Sequence, residues 1–200
     1  MLSVVAGAMM SANALANPAT VNFNGTVVAP TCTLTADGLT RAVTLNDITA
    51  QSIVAAAAHA SSSNPTAFNI KGADVSVPAI NFEKCPASIT KVHIGSVISS
   101  GVNEAIGTAL YAVPEQGTGR GVTLALGALA YGTSQYVITG APGDIGNDPD
   151  VVFFPVSNGS ATTGSDGLRV FAFKSNAVTS IADVTAGNYA TTFTVTFDWL

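Results

Sequence analysis

The sequence predicts an all-β fold, and three observations carry that expectation. Charged residues supply only 10% of the 200-residue chain. Thr, Val, Ala, Gly, Ser and Asn abound instead, a mixture that favours strands and turns over long helices. Short segments of alternating or β-branched residues recur at intervals of about ten residues, split by Gly-rich turns, and no helix-length hydrophobic period competes with them. The length suits one domain of sandwich size, able to bury roughly 70% of its unfolded surface. No internal repeat or long linker divides it.

The chain opens "MLSVVAGAMMSANALANPAT". Residues 2–10 are apolar, and Ala12-Asn13-Ala14 and Ala14-Leu15-Ala16 have the small-x-small form of a signal-peptidase site. The run is too short to span a bilayer. No Lys or Arg precedes it, so residues 1–16 are expected to be a signal peptide truncated at its N-terminus, cleaved after Ala16 or Ala14. Next comes "NPATVNFNGTVVAPTC", in which Ala19, Val21, Phe23, Gly25 and Val27 alternate with Thr20, Asn22, Asn24 and Thr26. That is the period of a strand with one apolar face. "RAVTLNDI" (41–48) reads as a short strand, and "AQSIVAAAAHASSSN" (50–64) as one or two helical turns and a polar loop. "VSVPAINFEKC" (75–85) and "SITKVHIGSVIS" (88–99) are strand-like. "GTALYAV", "GVTLALG" and "SQYVITG" follow between glycine turns. Residues 140–150 form a loop, and "VVFFPV" and "LRVFAFKS" add two strands. "GNYATTFTVTFDWL" (187–200) closes the chain: Gly187, Tyr189, Thr191, Phe193, Val195, Phe197 and Trp199 occupy one face.

Export makes a disulfide the expected state of the two cysteines, Cys32 and Cys85, because oxidising compartments preserve such bonds. Their separation excludes a CxxC redox pair, and His59 and His93 lack the spacing of zinc ligands. A net charge of −5 with seven basic residues argues against a nucleic-acid partner, which requires clustered Lys and Arg. "GTGRG" (117–121) lacks phosphate-loop spacing and reads as a turn. Asp144, Asp148 and Asp150 do not match an EF-hand, and Gly, Asn and Pro between them already account for a surface turn. His93, in "KVHIG", reads as an exposed or edge side chain. No serine occupies a GxSxG elbow and no triad is apparent. Asn24-Gly25-Thr26 and Asn158-Gly159-Ser160 match the glycan acceptor pattern, which is common by chance. No catalytic site, metal site or cofactor is expected.

The two end strands and the cysteine pair together resemble the fimbrial subunits (pilins) of the bacterial chaperone–usher pathway. That family begins with an extension of the form "TVxFxGxVVxxxC", which here reads "TVNFNGTVVAPTC" (20–32). Its second cysteine follows a strand similar to "AINFEKC" (79–85). It ends on an alternating strand with a glycine fourteen positions from the terminus and a penultimate aromatic, here Gly187 and Trp199. Tyr or Phe is more usual than Trp at that last position, and residues 60–76 resemble an insertion relative to shorter members.

The resemblance implies an incomplete immunoglobulin-like sandwich over residues 29–200, lacking its last strand and completed by a donor strand from another chain. Residues 17–28 would be the donor extension, with Ala19, Val21, Phe23, Gly25 and Val27 entering a neighbour's groove. Gly187, Tyr189, Phe193, Val195, Phe197 and Trp199 would line the acceptor groove and the chaperone-binding strand. The implied partners are a periplasmic chaperone, an outer-membrane usher and further subunits joined head to tail, in a fimbrium at the bacterial surface. The alternatives are a self-contained secreted β-sandwich lectin or adhesin, with its ligand on loops such as 140–150, and more distantly an exported hydrolase. The first alternative takes residues 17–28 as an ordinary first strand pairing within its own chain.

Overall fold

The computed structural model describes residues 15–23, 32–35, 40–48, 67–68, 74–100, 103–106, 109–112, 121–140, 145–175, 180–185 and 191–200. Its strands, in chain order, are β1 (Leu15–Phe23), β2 (Thr33–Leu34), β3 (Thr40–Ile48), β4 (Ala67–Phe68), β5 (Asp74–Ser76), β6 (Asn81–Glu83), β7 (Lys91–Ser99), β8 (Asn103–Ile106), β9 (Ala109–Ala112), β10 (Val122–Leu129), β11 (Tyr136–Ile138), β12 (Phe153–Pro155), β13 (Ala161–Thr162), β14 (Leu168–Lys174) and β15 (Thr192–Trp199). Among the described residues the only helical elements are 3-10 turns at Ile145–Asn147 and Ile181–Asp183. The all-β expectation holds. The reading of residues 50–64, His59 and residues 117–120 of "GTGRG" lie outside the described residues.

Three sheets form. One runs β12-β7-β15-β1-β3, a second β4-β11-β10-β14-β5 with β8 and β9 attached beside β10, and a small third β13-β6-β2. Every described pairing is antiparallel except one, β1 with β15. Side chains from the two larger sheets and from the β6 region meet in one core, giving a sandwich-like arrangement. The period-two pattern of β15 places Phe193, Val195 and Phe197 in that core, with Thr192, Thr194 and Thr196 half-buried between them. β10 behaves differently: "VTLALGA" is buried at every position from Val122 to Ala128. A strand covered on both faces needs no polar alternation, and its near-continuous apolar sequence agrees.

Proline and glycine explain where strands stop. The segment 75–85, strand-like throughout by sequence, is two strands: Val77 and Ile80 stay in the core, but Pro78 between them donates no ladder hydrogen bond. At "SNGS", Asn158 and Gly159 both take positive φ (51° and 73°), and Ser157 and Ser160 exchange backbone bonds of 2.8 and 3.0 Å. Asn-Gly is the dipeptide that a tight hairpin of this hand prefers, so the turn itself accounts for this acceptor-like pattern. Gly167 is required by space: a Cβ there would lie 1.9 Å from the Thr163 carbonyl oxygen.

His93 corrects its sequence reading. It lies on β7, which is flanked by β12 and β15, so it is neither exposed nor at an edge; it is 8% exposed, with Nδ1 3.2 Å from the Ile94 carbonyl. Within the 140–150 segment, Gly140 and residues 145–150 are described, and several hydrogen bonds hold them. Asn147 is buried and donates through Nδ2 to the Gly140 carbonyl at 3.0 Å, while the Asp148 carboxylate accepts from the Asp150 amide at 2.8 Å. Asp150 in turn accepts from Lys91 Nζ at 3.1 Å. Two of the three candidate calcium carboxylates are thus committed to local bonds, and the third, Asp144, lies outside the described residues.

The second sheet is clamped at one edge by Arg169 on β14. Its guanidinium donates to the buried carboxylate of Asp74 on β5 and, through Nη2, to Asp166 Oδ1 at 2.8 Å. It also lies over the Tyr136 ring, whose hydroxyl donates to the Asp166 carbonyl at 2.7 Å. Removing one partner of a buried pair strands the other charge, at a cost of about 3–5 kcal/mol. Arg169→Met is therefore expected to lower unfolding stability in urea by about that amount at neutral pH. The hydrogen bond from Arg169 holds the exposed Asp166 carboxyl below its ordinary range. A lowered folded-state pKa contributes stability that is complete at neutral pH and lost as pH falls through that pKa. Asp166→Asn should accordingly lose this modest contribution at pH 7, and its deficit relative to the parent should shrink as pH falls below about 4, as urea unfolding across that range would measure.

Candidate strand-addition site

The site begins with a requirement of any strand: both rows of backbone N–H and C=O groups need partners. β15 satisfies one row against β7, in antiparallel register from Phe193↔Ser99 to Trp199↔Val92 with an irregularity between Thr196 and Phe197. The ladder is extended at its ends. The Ser100 amide donates to the Thr192 carbonyl at 2.8 Å, and the Lys91 amide donates to the Leu200 carbonyl at 2.8 Å. Between them Ser96 and Thr196 join hydroxyl to hydroxyl at 2.8 Å.

The other row of β15 faces β1. The pairing is parallel and covers four positions: Thr20↔Thr192, Val21↔Phe193, Asn22↔Thr194 and Phe23↔Val195. On its far side β1 pairs antiparallel with β3 at seven registered positions, from Leu15↔Ile48 to Asn22↔Thr40. β3 has no other strand partner among the described residues, so it belongs to the sheet only through β1. Pro18 lies outside the four positions shared with β15, where β1 is paired on one side alone and a missing N–H is tolerated.

The sequence-derived site residues distribute as follows. Ala19, Val21 and Phe23 belong to β1, inserted in the sheet of their own chain. Gly25, Val27, Gly187 and Tyr189 lie outside the described residues. Phe193, Val195 and Phe197 are buried, and Trp199 packs against the core from a half-exposed position. Phe82 of β6 ties this end together: its ring meets Phe197 edge-on at 5.0 Å and Trp199 at 5.6 Å between centroids. Cys32 and Cys85 form the disulfide, both buried, beside the short ladder that pairs β2 with β6. The chain thus leaves β1 at Phe23 and is fixed to the body again at Cys32. β1 starts at Leu15, inside the segment 1–16 expected to be removed; residues 1–14 lie outside the described residues.

β3 is the site element that sequence reasoning read as a strand but gave no role. Its signal was ordinary strand composition, and nothing local marks which strand it will adjoin. Two further surface features are present. A cleft of about 410 Å³ is lined by Asn81, Phe82, Glu83, Pro155, Ser157, Ser160, Ala161 and Thr162, without histidine or cysteine. Tyr131, 55% exposed, stacks on Phe153 at 4.2 Å, with Lys91 Nζ 4.6 Å above the Phe153 ring. Among the described residues no three His, Cys, Asp or Glu side chains converge on a metal-sized centre.

Fold and bonding define an all-β, sandwich-like protein of largely antiparallel sheets with one disulfide, whose first described strand is bracketed by two others. No protein-family model matches the chain, and no curated protein matches it.

The Phe82–Phe197 contact yields a quantitative expectation. Each residue truncated to Ala should cost about 3–5 kcal/mol of unfolding stability, since both are buried. The double variant should lose less than the sum, by about 0.5–1.5 kcal/mol, the range for an edge-to-face aromatic pair. A double-mutant cycle in urea measures the difference.

Proposed function

We propose that the protein is a structural subunit of a chaperone–usher fimbria, polymerising by donor-strand exchange into a surface filament for adhesion. The resemblance of residues 20–32, 79–85 and 187–200 to pilins motivates the reading. The observation that carries it is the position of β1. The first described strand supplies all the strand pairing of β3 among the described residues and pairs Thr192 to Val195 on the second edge of β15. A sheet built in this way can be completed equally by the same segment from another molecule, through main-chain hydrogen bonds and alternate side chains. Fully burying each large apolar side chain contributes about 1.5–3 kcal/mol, so the groove floor of Tyr189, Phe193, Val195 and Phe197 would support a durable junction. Head-to-tail junctions of this kind do not close on themselves, and a filament results. Until the slot is filled its exposed edge is an aggregation hazard, which is the physical need for a chaperone that lends a strand.

A second reading, a self-contained secreted β-sandwich lectin or adhesin, is favoured by the same strand's pairing inside its own chain. The two readings part on whether the body accepts a strand in trans. The chain without residues 17–28 is refolded with or without a peptide spanning 17–29, and thermal unfolding is recorded. The fimbrial reading expects the peptide to raise the midpoint by tens of degrees. A truncated chain equally stable without peptide would leave the self-contained sandwich. Gly25→Phe supplies an independent check in cells: the subunit should still fold and bind its chaperone but fail as a donor, so that fibres are lost, as electron microscopy of the cell surface would reveal.

A further inference from the structure

We infer that the cleft bounded by β6, β13 and the turn at 157–160 binds a neutral, hydroxyl-rich ligand of the saccharide class. The inference goes beyond the strand-exchange reading and does not depend on it, because no lining residue belongs to β1, β3 or β15. It also places a ligand away from the 140–150 loop.

The cleft is built before any ligand arrives. β6 is paired on both sides, with β13 through Asn81↔Thr162 and Phe82↔Ala161, and with β2 through Phe82↔Leu34 and Glu83↔Thr33. The facing wall is the Asn-Gly turn. Ser157 and Ser160 exchange backbone bonds across it, and the Gly159 carbonyl accepts from the Cys85 amide at 2.9 Å, beside the disulfide. The Val156 amide donates to the Thr90 carbonyl at 2.9 Å and ties the same segment to the start of β7. Walls already bonded in place lose little ordering entropy on binding. The volume of about 410 Å³ falls within the span of about 300–1,000 Å³ usual for small-ligand sites.

Its chemistry follows from strand period. Asn81 and Glu83 stand on the exposed face of β6, while Phe82 between them is buried and turns its ring to Phe197 and Trp199. Asn81 thereby lies beside its cross-strand partner Thr162, whose hydroxyl accepts from the Gly164 amide at 3.1 Å. The side chains of Asn81, Glu83, Ser157 and Ser160 have no hydrogen-bond partner among the described residues. Together they offer carboxylate, carbonyl and hydroxyl oxygens as acceptors, and amide and hydroxyl hydrogens as donors. Phe82, Pro155 and Ala161 make the rest of the lining apolar.

That combination separates ligand classes. No Lys, Arg or His lines the cleft, so a phosphate or carboxylate would meet Glu83 with no opposite charge to hold it. A purely apolar ligand would desolvate the polar side chains without replacing their hydrogen bonds. One carboxylate with neither histidine nor cysteine does not make a metal cage. An organic ammonium would find a single charge partner, and the Phe82 ring is too deeply buried to cap it. A pyranose satisfies both parts of the lining. Its hydroxyls donate to Glu83 and exchange bonds with Asn81 and the two serines, and its C–H faces pack on the apolar part.

The test titrates the full chain, isotopically labelled, with glucose, galactose, mannose, fucose and N-acetylglucosamine at tens of millimolar, and follows the backbone amide shifts. Sodium phosphate and n-butylammonium are run beside them. The expected result is a saturable shift with at least one sugar, confined to residues 81–83 and 155–162, and no such shift with phosphate or the ammonium. Glu83→Gln should weaken that sugar's affinity about tenfold, the loss of one hydrogen bond to a charged group. Its thermal unfolding midpoint should not move, because Glu83 is exposed. Ser160→Ala should weaken the same affinity about threefold or more. Tyr131→Ser, on the separate aromatic stack, should leave it unchanged. No saturable shift with any of these sugars, or shifts with phosphate or n-butylammonium alone, would overturn the inference. So would a sugar response that Tyr131→Ser abolishes and Glu83→Gln preserves, since the ligand would then lie elsewhere.

Discussion

The structure depends on the pairing of β15 on both edges. Phe193, Val195 and Phe197 bring this strand's apolar face into the core, and burial removes water as an alternative partner for the backbone around them. An unpaired buried backbone group costs about as much as a lost hydrogen bond, so a core strand of this kind must have neighbours on both sides. β7 supplies one neighbour through a long ladder reinforced by Ser96, Ser100 and Thr196. The other is β1, and β3 joins the sheet behind it. The first sheet therefore divides into a block of β12, β7 and β15 and a wall, β3, that β1 connects to it.

The remaining architecture does not depend on that connection. The second sheet is consolidated by β10, buried along its length, and by Arg169 gripping Asp74 and Asp166 across β14 and β5. The small third sheet and the disulfide tie residues 32–34 to 81–85 and so fix the chain just after it leaves β1. Phe82 carries the same sheet into the aromatic cluster with Phe197 and Trp199. These ties do not involve β1.

The features legible in the sequence were those with a local cause. Alternation in residues 191–199 announced which side chains of β15 are buried, because period two is a property of one strand. Composition announced the all-β class, and two cysteines in a chain read as exported announced the bond between Cys32 and Cys85. Pairing was not legible. Nothing near residues 40–48 says that β3 will lie beside β1, and nothing near residues 15–23 gives the strand a direction relative to β15. The first choice joins positions 18 to 33 residues apart, from Asn22↔Thr40 to Leu15↔Ile48, and the second joins positions 172 apart, such as Thr20↔Thr192. His93 was misread for a related reason: "KVHIG" has the same pattern in an edge strand and in one covered by β12 and β15. Arg169, Asp74 and Asp166 carried no sequence signal as a unit, since two of them lie 95 residues apart.

Strand direction makes the slot asymmetric. β1 runs parallel to β15 and antiparallel to β3, so the two walls run in opposite directions to each other. Any strand placed between them must then be parallel to one wall and antiparallel to the other, whichever way it enters. Parallel ladders carry slanted hydrogen bonds and are the less stable kind per residue. β1 as it stands gives its antiparallel ladder to β3, the wall with no other strand partner among the described residues, and its short parallel ladder to β15, the wall that holds Phe193, Val195 and Phe197. The more extensive ladder of the strand therefore lies on the β3 side, seven registered positions against four, and the side that carries Phe193 and Val195 has the shorter, parallel one.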